Sequence, residues 1–385
     1  MNTWKRWLAA AVLPCLLAGC GAAETPAKDS GPMDHLLGLT QEQRLEDYDY
    51  LVQTLGDSYL CMGVRDRDNP EDPSAAIFQA YREMIQESDS DEVFYSAVYS
   101  TLFRLGTYGH LGIVELDAYR AYCEAYEDGD IQDREHWREV LTDPVTVRGY
   151  ERLQTLLDAY GEEDGAVNSA GSEEPAANLH TLLLPGGDVG YVKIDSFPAE
   201  YEDSYAADRA VLTDFYRQAA DCTDLIIDLT DNSGGSEIYW QQLLVAPLTD
   251  RPLSCTNYAL LAESGNNRPY IQEVFSPEEL HPIADLPDLP KLERDGIQAA
   301  THFVESTLSV EPAAERPPFH GRIWVLVGPA VYSASESFAV FCRETGFATL
   351  VGSPTGGDGI GALDPVFLQL PNSGILVQFT MMFGL

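Results

Sequence analysis

The sequence predicts an α/β protein whose N-terminal part is helical. From residue 39 to 160 the apolar residues recur every three or four positions, which is the spacing of helices with one buried face. From His180 onward, short apolar segments alternate with helical segments, and turns containing glycine or serine separate them. Because repeated strand–turn–helix units are typical of α/β cores, we expect such a core to follow the helical region.

The helical pattern is clearest over Asp91–Leu105 and ends at Gly106. The segment Gly109–Val114 then predicts a glycine turn that leads into a short strand. Further along the chain, six strands are expected, at Val189–Ile194, Asp224–Leu229, Ile323–Val327, Ala348–Val351, Val366–Leu370 and Ile375–Phe379.

Helices are expected over Asp203–Ala220 and Ser333–Thr345. The turn Asn232–Gly235 leads into a further helix that runs through Leu244. Residues 247–318 are rich in proline, so we expect an irregular insertion there.

These patterns divide the chain into five segments. They are a signal peptide (1–20), a tether (21–38), a helical domain (39–160), a linker (161–178) and an α/β core (179–385). The linker is small, acidic and polar, which is the composition of a flexible segment. The sequence stops directly after an apolar strand, so we expect the C-terminal end of the core to be incomplete.

The strong negative charge excludes one class of partner. The chain has 62 acidic and 23 basic residues, which gives a formal net charge of −39. Such a surface repels nucleic acid. It favours cationic polypeptides at low salt, although solubility alone also explains the charge.

Seven cysteines are present, and two of them lie in the signal segment. The other five are scattered and have no CxxC spacing, which argues against a zinc site and a disulfide scaffold. One or two disulfides remain open outside the cytoplasm. No HExxH, phosphate-binding loop or dinucleotide motif appears, so we expect no metal and no cofactor.

The first twenty residues resemble a bacterial lipoprotein signal. Lys5 and Arg6 precede an apolar segment that is shorter than the roughly 20 residues needed to span a bilayer. The segment ends in Leu17-Ala18-Gly19-Cys20. The resemblance implies that Cys20 is lipidated and anchors an extracytoplasmic protein to a bacterial membrane. An ordinary cleaved signal and an uncleaved anchor are the alternatives.

Ser333 is a candidate nucleophile because it stands between a buried strand and a helix, where a hydroxyl group can be exposed. The same residues, Ser333-Ala334-Ser335-Glu336, also fit a helix capping box. The paired glycines Gly234 and Gly235 could bring backbone amides close to a ligand oxygen, as an oxyanion hole requires. A tight turn that begins a helix is the alternative for the glycines.

Taken together, these segments resemble the tail-specific, C-terminal-processing serine proteases. The resemblance covers about residues 188–380 and rests on Gly190–Ile194, Leu225–Leu229 with Asn232 and Gly234-Gly235, Ser333–Glu336, Val351–Gly357 and Leu370–Gly374. It implies a crotonase-like core with Ser333 as the nucleophile. It also implies an oxyanion hole that uses amides near Gly234, Gly235 and Ala334.

The base distinguishes two branches of this family. One branch uses a lysine, but the corresponding position here is Asp358, and none of the chain's four lysines suits the role. The other branch, similar to the tricorn protease, uses a histidine from the N-terminal part. His110 lies in a similar helix–loop–histidine–strand context and is the predicted base. A structural histidine after a glycine turn is the alternative.

Two departures from the histidine branch affect the expected activity. That branch has a serine directly before the histidine, whereas this chain has Gly109. It also supplies an acid well after the nucleophile, and we expect that acid to lie beyond Leu385. A base without its orienting acid loses orders of magnitude in rate, so the chain as given is expected to be weakly active or inactive.

The sequence therefore predicts a serine-type endopeptidase, or a peptidase that trims carboxyl ends, acting on extracytoplasmic polypeptides. The main alternative is a catalytically degenerate lipoprotein that binds peptide or lipid in the same cleft. A purely structural envelope lipoprotein is a third possibility, but no long amphipathic or repetitive segment favours it.

Overall fold

The computed structural model describes residues 36–106, 108–127, 134–161, 177–289, 297–359 and 364–385, with the main chain alone for 156–161. Cys20, the signal segment and most of the expected linker lie outside the described residues. Residues 36–38 were expected to belong to the tether, but Leu37 is fully buried and its amide donates to Asp91 at 2.8 Å. Leu37 therefore packs with the helical region.

The N-terminal region is helical, as predicted. Its helices are α1 (Gln41–Ser58), α2 (Cys61–Asp68), α3 (Ser74–Gln86), α4 (Asp91–Leu105), α5 (Leu116–Glu127), α6 (Glu135–Thr142) and α7 (Pro144–Gly161). Helix α4 has the predicted bounds. The Ser90 side chain caps it by accepting the amides of Glu92 and Val93.

The rest of the chain supplies most of the strands. In chain order they are β1 (Gly112–Ile113), β2 (Leu179–Leu183), β3 (Val189–Ile194), β4 (Asp224–Asp228), β5 (Leu253–Leu261), β6 (His281–Pro282), β7 (His302–Val310), β8 (Arg322–Val327), β9 (Thr349–Gly352), β10 (Pro365–Gln369), β11 (Leu376–Thr380) and β12 (Met382–Gly384). The later helices are α8 (Asp203–Gln218), α9 (Glu237–Tyr239, continued by a π turn over Trp240–Val245), α10 (Arg268–Val274) and α11 (Ala334–Thr345).

A five-stranded sheet carries the predicted α/β core. Its order is β2-β3-β4-β8-β9, in which β3, β4, β8 and β9 are parallel and β2 is an antiparallel edge. Helix α8 connects β3 to β4, and α11 connects β8 to β9. The carboxyl ends of parallel strands meet at one edge of a sheet, which is where open α/β sheets bind their ligands.

The expected irregular insertion is wrong in its secondary structure. Residues 247–318 contain β5 and β7, which pair antiparallel along nine residues each, and β12 and β6 flank them in a four-stranded sheet. Every second residue of β5 from Leu253 to Asn257 is buried. This alternation of buried and exposed residues is short and includes polar residues such as Asn257. The prolines of the segment therefore led to the prediction of an irregular insertion.

The helical region does not have a core of its own. Its buried side chains pack together with those of β10 and β11 in one apolar cluster. A second cluster lies between the five-stranded sheet and helices α8 and α11. Strand β1 pairs with β11, so the turn before β1 is held against the C-terminal strands. Across the residues described, no helix is both long enough and apolar enough to cross a membrane.

Candidate active site

Ser333 occupies a strained position between β8 and α11. Its backbone has φ 57° and ψ −127°, and its side chain makes no capping hydrogen bond to the helix. Its amide donates to the Gly357 carbonyl at 3.1 Å. A capping serine has extended backbone angles and accepts an amide of the first turn, so the capping alternative does not fit this residue. A strained serine between a strand and a helix is instead the arrangement of a nucleophile elbow.

Ser335 holds this elbow in shape. Its hydroxyl group is buried and donates to the Asn232 carbonyl at 2.8 Å or to the Tyr332 carbonyl at 2.9 Å. The same oxygen accepts the Tyr332 amide at 3.0 Å. The turn after β4 and the turn after β8 are therefore joined by one serine side chain.

The glycine turn after β4 lies against the elbow. A Cβ on Gly234 would stand 2.9 Å from the Ala334 nitrogen and 3.0 Å from the Ser333 Cβ, so only glycine allows this approach. The Gly234 amide, however, donates to the side chain of the buried Asn232 at 2.8 Å. The assignment of Gly234 as an oxyanion donor is therefore corrected, because this residue supplies the close approach and its amide is already engaged.

The amides of Gly235 and Ala334 are the remaining candidate donors. Gly235 faces Phe197 in a parallel bridge whose hydrogen bonds use the Gly234 carbonyl and the Ser236 amide. The Gly235 amide consequently points away from that bridge. Ala334 is the first residue of α11, where helix geometry leaves the amides without acceptors in the helix.

His110 reaches the site from the helical region. It ends the 3-10 turn Tyr108–His110 and has φ 54°. Its Nδ1 is paired with Oδ2 of Asp358. The imidazole is about one-third exposed, whereas the Asp358 side chain is 8% exposed. The carboxylate is thus shielded from water, and one ring nitrogen is occupied by it.

Asp358 places a carboxylate against His110 within the given sequence, whereas the acid for the histidine was expected beyond Leu385. Asp358 follows β9 and lies at the position where the lysine branch of the resembling family has its base. In the sequence, Asp358 stands out only as the replacement of a lysine. The missed signal was that a carboxylate at that position can orient a histidine supplied by another segment.

Tyr332 is the second residue that the sequence analysis missed. Its hydroxyl donates to Oδ2 of Asp358 at 2.9 Å and accepts the His110 amide at 3.1 Å. Tyr332 directly precedes Ser333 in the chain. The histidine, the acid and the serine are therefore connected through one tyrosine.

Backbone strain coincides with these residues. Within the described ranges, His110, Ser333 and Asp358 are the non-glycine residues with positive φ, at 54°, 57° and 60°. Such conformations cost on the order of 1–3 kcal/mol each and cluster at functional sites. The three residues come from three separate segments, so a local peculiarity of one turn does not explain them.

A cleft of about 310 Å³ opens beside Asp358. Its walls include apolar side chains and the glycine segment after β9. The lining residues are Cys61, Val64, Tyr108, Gly109, Tyr332, Glu336, Val340, Arg343, Gly356, Gly357, Asp358, Gly359, Phe383, Gly384 and Leu385. Burial, followed by the charge of Asp358, raises the pKa of the Cys61 thiol to about 12. This thiol stays protonated at neutral pH and is not an activated nucleophile.

One further acid, Glu336, lines the cleft. Burial raises the pKa of Glu336, and hydrogen bonds from Thr355 and the Gly357 backbone oppose this increase.

Among the side chains described, no group of three or more His, Cys, Asp or Glu residues is arranged to hold a metal ion.

The family model of peptidase family S41 matches residues 188–382, about half of the 385 residues. This match includes the serine, the glycine turn and the acid described above. The chain belongs to peptidase family S41. It is a serine peptidase with a mixed α/β fold and a helical N-terminal region.

Solved structures show the same fold as this S41 peptidase. A putative peptidase from Parabacteroides merdae ATCC 43184 is 18% identical, with a TM-score of 0.51, over 90% of this chain and 84% of its own. A mutant of CPAF is 13% identical, with a TM-score of 0.50, over 90% of this chain and 89% of its own. The comparison with curated proteins gave no significant match.

Proposed function

We propose that this S41 peptidase is an endopeptidase with a Ser333–His110–Asp358 triad. The observation that carries the proposal is the pairing of His110 Nδ1 with Asp358, both of which contact the hydroxyl of Tyr332, the residue directly before the strained Ser333. A carboxylate on Nδ1 fixes the imidazole tautomer whose Nε2 is the proton acceptor. This arrangement is what a histidine needs to act as a general base.

The chemistry then follows the acyl-enzyme route. His110 Nε2 takes the Ser333 proton while Oγ attacks the scissile carbonyl, and the same proton is delivered to the leaving amine. Water attacks the acyl-enzyme in the second half of the reaction, again with His110 as the base. The Asp358 carboxylate stabilises the imidazolium that forms in both steps.

The Gly235 and Ala334 amides are the proposed oxyanion donors. Both belong to turns that Asn232 and Ser335 hold together, so their positions are fixed before substrate arrives. The Asn232 side chain also donates to the Ile194 carbonyl at 3.1 Å, which ties the glycine turn to β3. Preorganised donors of this kind are worth about 3 kcal/mol of barrier each.

The proposed substrates are extracytoplasmic polypeptides, and the proposed location is the surface of a bacterial membrane. The support is the lipoprotein-like segment that ends in Cys20. Cells that express the full chain and a Cys20→Ala variant should be labelled with a palmitate analogue and extracted with detergent. Label in the full chain and not in the variant is expected, and label in neither would contradict the lipid anchor.

Cleavage of an unfolded polypeptide tests the triad. Ser333→Ala and His110→Ala should each abolish turnover without lowering the melting temperature by more than a few degrees. The matched controls are Ser254→Ala and His180→Ala, which change exposed residues far from the site. Turnover by Ser333→Ala at the wild-type rate would contradict the proposal. Tight binding of peptide without any turnover in the wild type would favour a ligand-binding role.

A further inference from the structure

We propose that Tyr332 is the positioning residue that holds the base and the acid of this site together. The inference rests on the proposed triad and adds to it a side chain that neither attacks the substrate nor transfers a proton. Its hydroxyl, which contacts the His110 main chain and the Asp358 carboxylate, is the observation that carries the proposal.

The hydroxyl lies within hydrogen-bond distance of three atoms, the amide and Nδ1 of His110 and one oxygen of Asp358. The oxygen accepts the His110 amide at 3.1 Å and donates its proton to Oδ2 of Asp358 at 2.9 Å. This Oδ2 is the atom that is paired with His110 Nδ1. A donor on that oxygen fixes where the carboxylate points, so the plane of the imidazole is fixed as well.

The ring of Tyr332 contributes a second contact. Its centroid lies 4.9 Å from the imidazole centroid, with the planes at 49°. The backbone of Tyr332 is itself fixed by Ser335 and by a parallel bridge to Gly357. Because Gly357 directly precedes Asp358, the same residue is tied to the acid through main chain and side chain.

Gly109 explains why this site requires such a residue. It has φ 58°, and a Cβ there would stand 2.9 Å from both the Cys61 Sγ and the Thr380 Oγ1. No side chain directly before the histidine can orient it. The position is closed by packing, so the orienting groups come from other segments: Asp358 contacts the ring of His110, and the Tyr332 hydroxyl contacts its amide.

The hydroxyl is suited to this role at any working pH. Burial, followed by the charge of Asp358, raises the pKa of Tyr332 far above its ordinary value. The group therefore stays protonated and remains a donor to the carboxylate.

Tyr332→Phe tests the proposal because it keeps the ring and removes only the hydroxyl. A hydrogen bond to a charged group is worth enough that we expect kcat to fall at least about tenfold, with KM changed by less than about twofold. Nitrogen-15 spectra of the imidazoles provide a second measurement. The wild type should show His110 as a single tautomer with the proton on Nδ1, and the variant should show a mixture.

The outcomes separate this inference from the triad. If Ser333→Ala and His110→Ala lose activity while Tyr332→Phe keeps the wild-type kcat and a single His110 tautomer, the role of Tyr332 is refuted and the triad stands. If His110→Ala keeps activity, the triad itself fails. If Tyr332→Phe lowers the melting temperature but keeps kcat below that temperature, the residue is structural and the proposal is also refuted. A Tyr191→Phe variant is the control for loss of a tyrosine hydroxyl bound to a carboxylate elsewhere.

Discussion

At the scale of residues, the site consists of three strained positions that packing holds in place. Ser333 and His110 are predicted from the sequence as nucleophile and base, because each lies in a recognisable order of turn, strand and helix. Asp358 and Tyr332 were not predicted, since their proposed roles arise from contacts between segments far apart in the chain. A sequence motif shows which side chains are available, whereas closeness between segments appears only in the fold.

Asp358→Asn should lower kcat by about 10²- to 10⁴-fold, because an amide can hold the imidazole in the wrong tautomer. KM should change little, since the carboxylate is buried and faces the base. Steady-state cleavage of a fluorogenic peptide measures both constants. Asp231→Asn, which changes an exposed partner of Lys193, is the matched control. A wild-type kcat in Asp358→Asn would contradict the proposal that Asp358 orients His110.

Gly109→Ala should lower the free energy of unfolding by about 1–3 kcal/mol, because the new Cβ meets Cys61 and Thr380 and the left-handed backbone is strained. Urea denaturation measures the change. Gly56→Ala is the control, since this helical glycine has open space around it and should gain about 0.4–1 kcal/mol. Equal effects at the two positions would show that the packing at Gly109 is unimportant.

At the scale of elements, periodicity predicted helix α4 and the strands of the parallel sheet closely. It failed for β5 and β7, whose alternating burial is interrupted by polar residues and surrounded by prolines. It also did not predict that helix α9 continues as a π turn, in which Trp240 packs against Phe338 and Phe341. Elements with a strong apolar pattern were predictable, and those shaped by neighbouring segments were not.

The turn of α9 contains a carboxyl group that should make stability depend on pH. Burial raises the pKa of Glu237 from 4.5 to about 7, although Ser337 and Trp240 donate hydrogen bonds to it. Between these two values the folded chain keeps a proton that the unfolded chain has lost. The free energy of unfolding should therefore fall as pH rises from about 4.5 to 7, by up to about 3 kcal/mol from this group.

Glu237→Gln removes that contribution while keeping an acceptor for Ser337. Its free energy of unfolding should depend less steeply on pH than that of the wild type. Urea denaturation at pH 5, 6, 7 and 8 compares the two slopes, and the difference isolates Glu237 from other buried acids such as Asp47 and Asp208. Identical slopes would mean that Glu237 titrates normally in the folded state.

At the scale of the whole molecule, the described residues form three apolar clusters, and two of them include neighbours of the candidate site residues: Leu111 beside His110 in one, Ala334 beside Ser333 in another. The parallel sheet with its helices carries Ser333, Asp358 and the glycine turn after β4. The helical region supplies the histidine and shares its core with β10 and β11. Resemblance to a known family indicated the parallel sheet with its helices. The sequence alone could not show that the helical region is packed onto the C-terminal strands.

Phe379→Ala should destabilise the whole protein, because Phe379 is fully buried on β11 and its ring lies 5.7 Å from that of Tyr59. A loss of about 3–5 kcal/mol is expected for a buried phenylalanine. Phe103→Ala is the control, since that side chain is 76% exposed. Urea denaturation followed by circular dichroism compares them. Comparable small losses for both variants would argue against the shared core.

The central claim is that Ser333 is activated by His110, and covalent labelling tests it most directly. The chain should be treated with a fluorophosphonate probe, digested and mapped by mass spectrometry. We expect one adduct of the probe, on Ser333. This adduct should be absent from Ser333→Ala and strongly reduced in His110→Ala and Asp358→Asn. An adduct on another residue, or equal labelling of Ser333 in the wild type and His110→Ala, would contradict it.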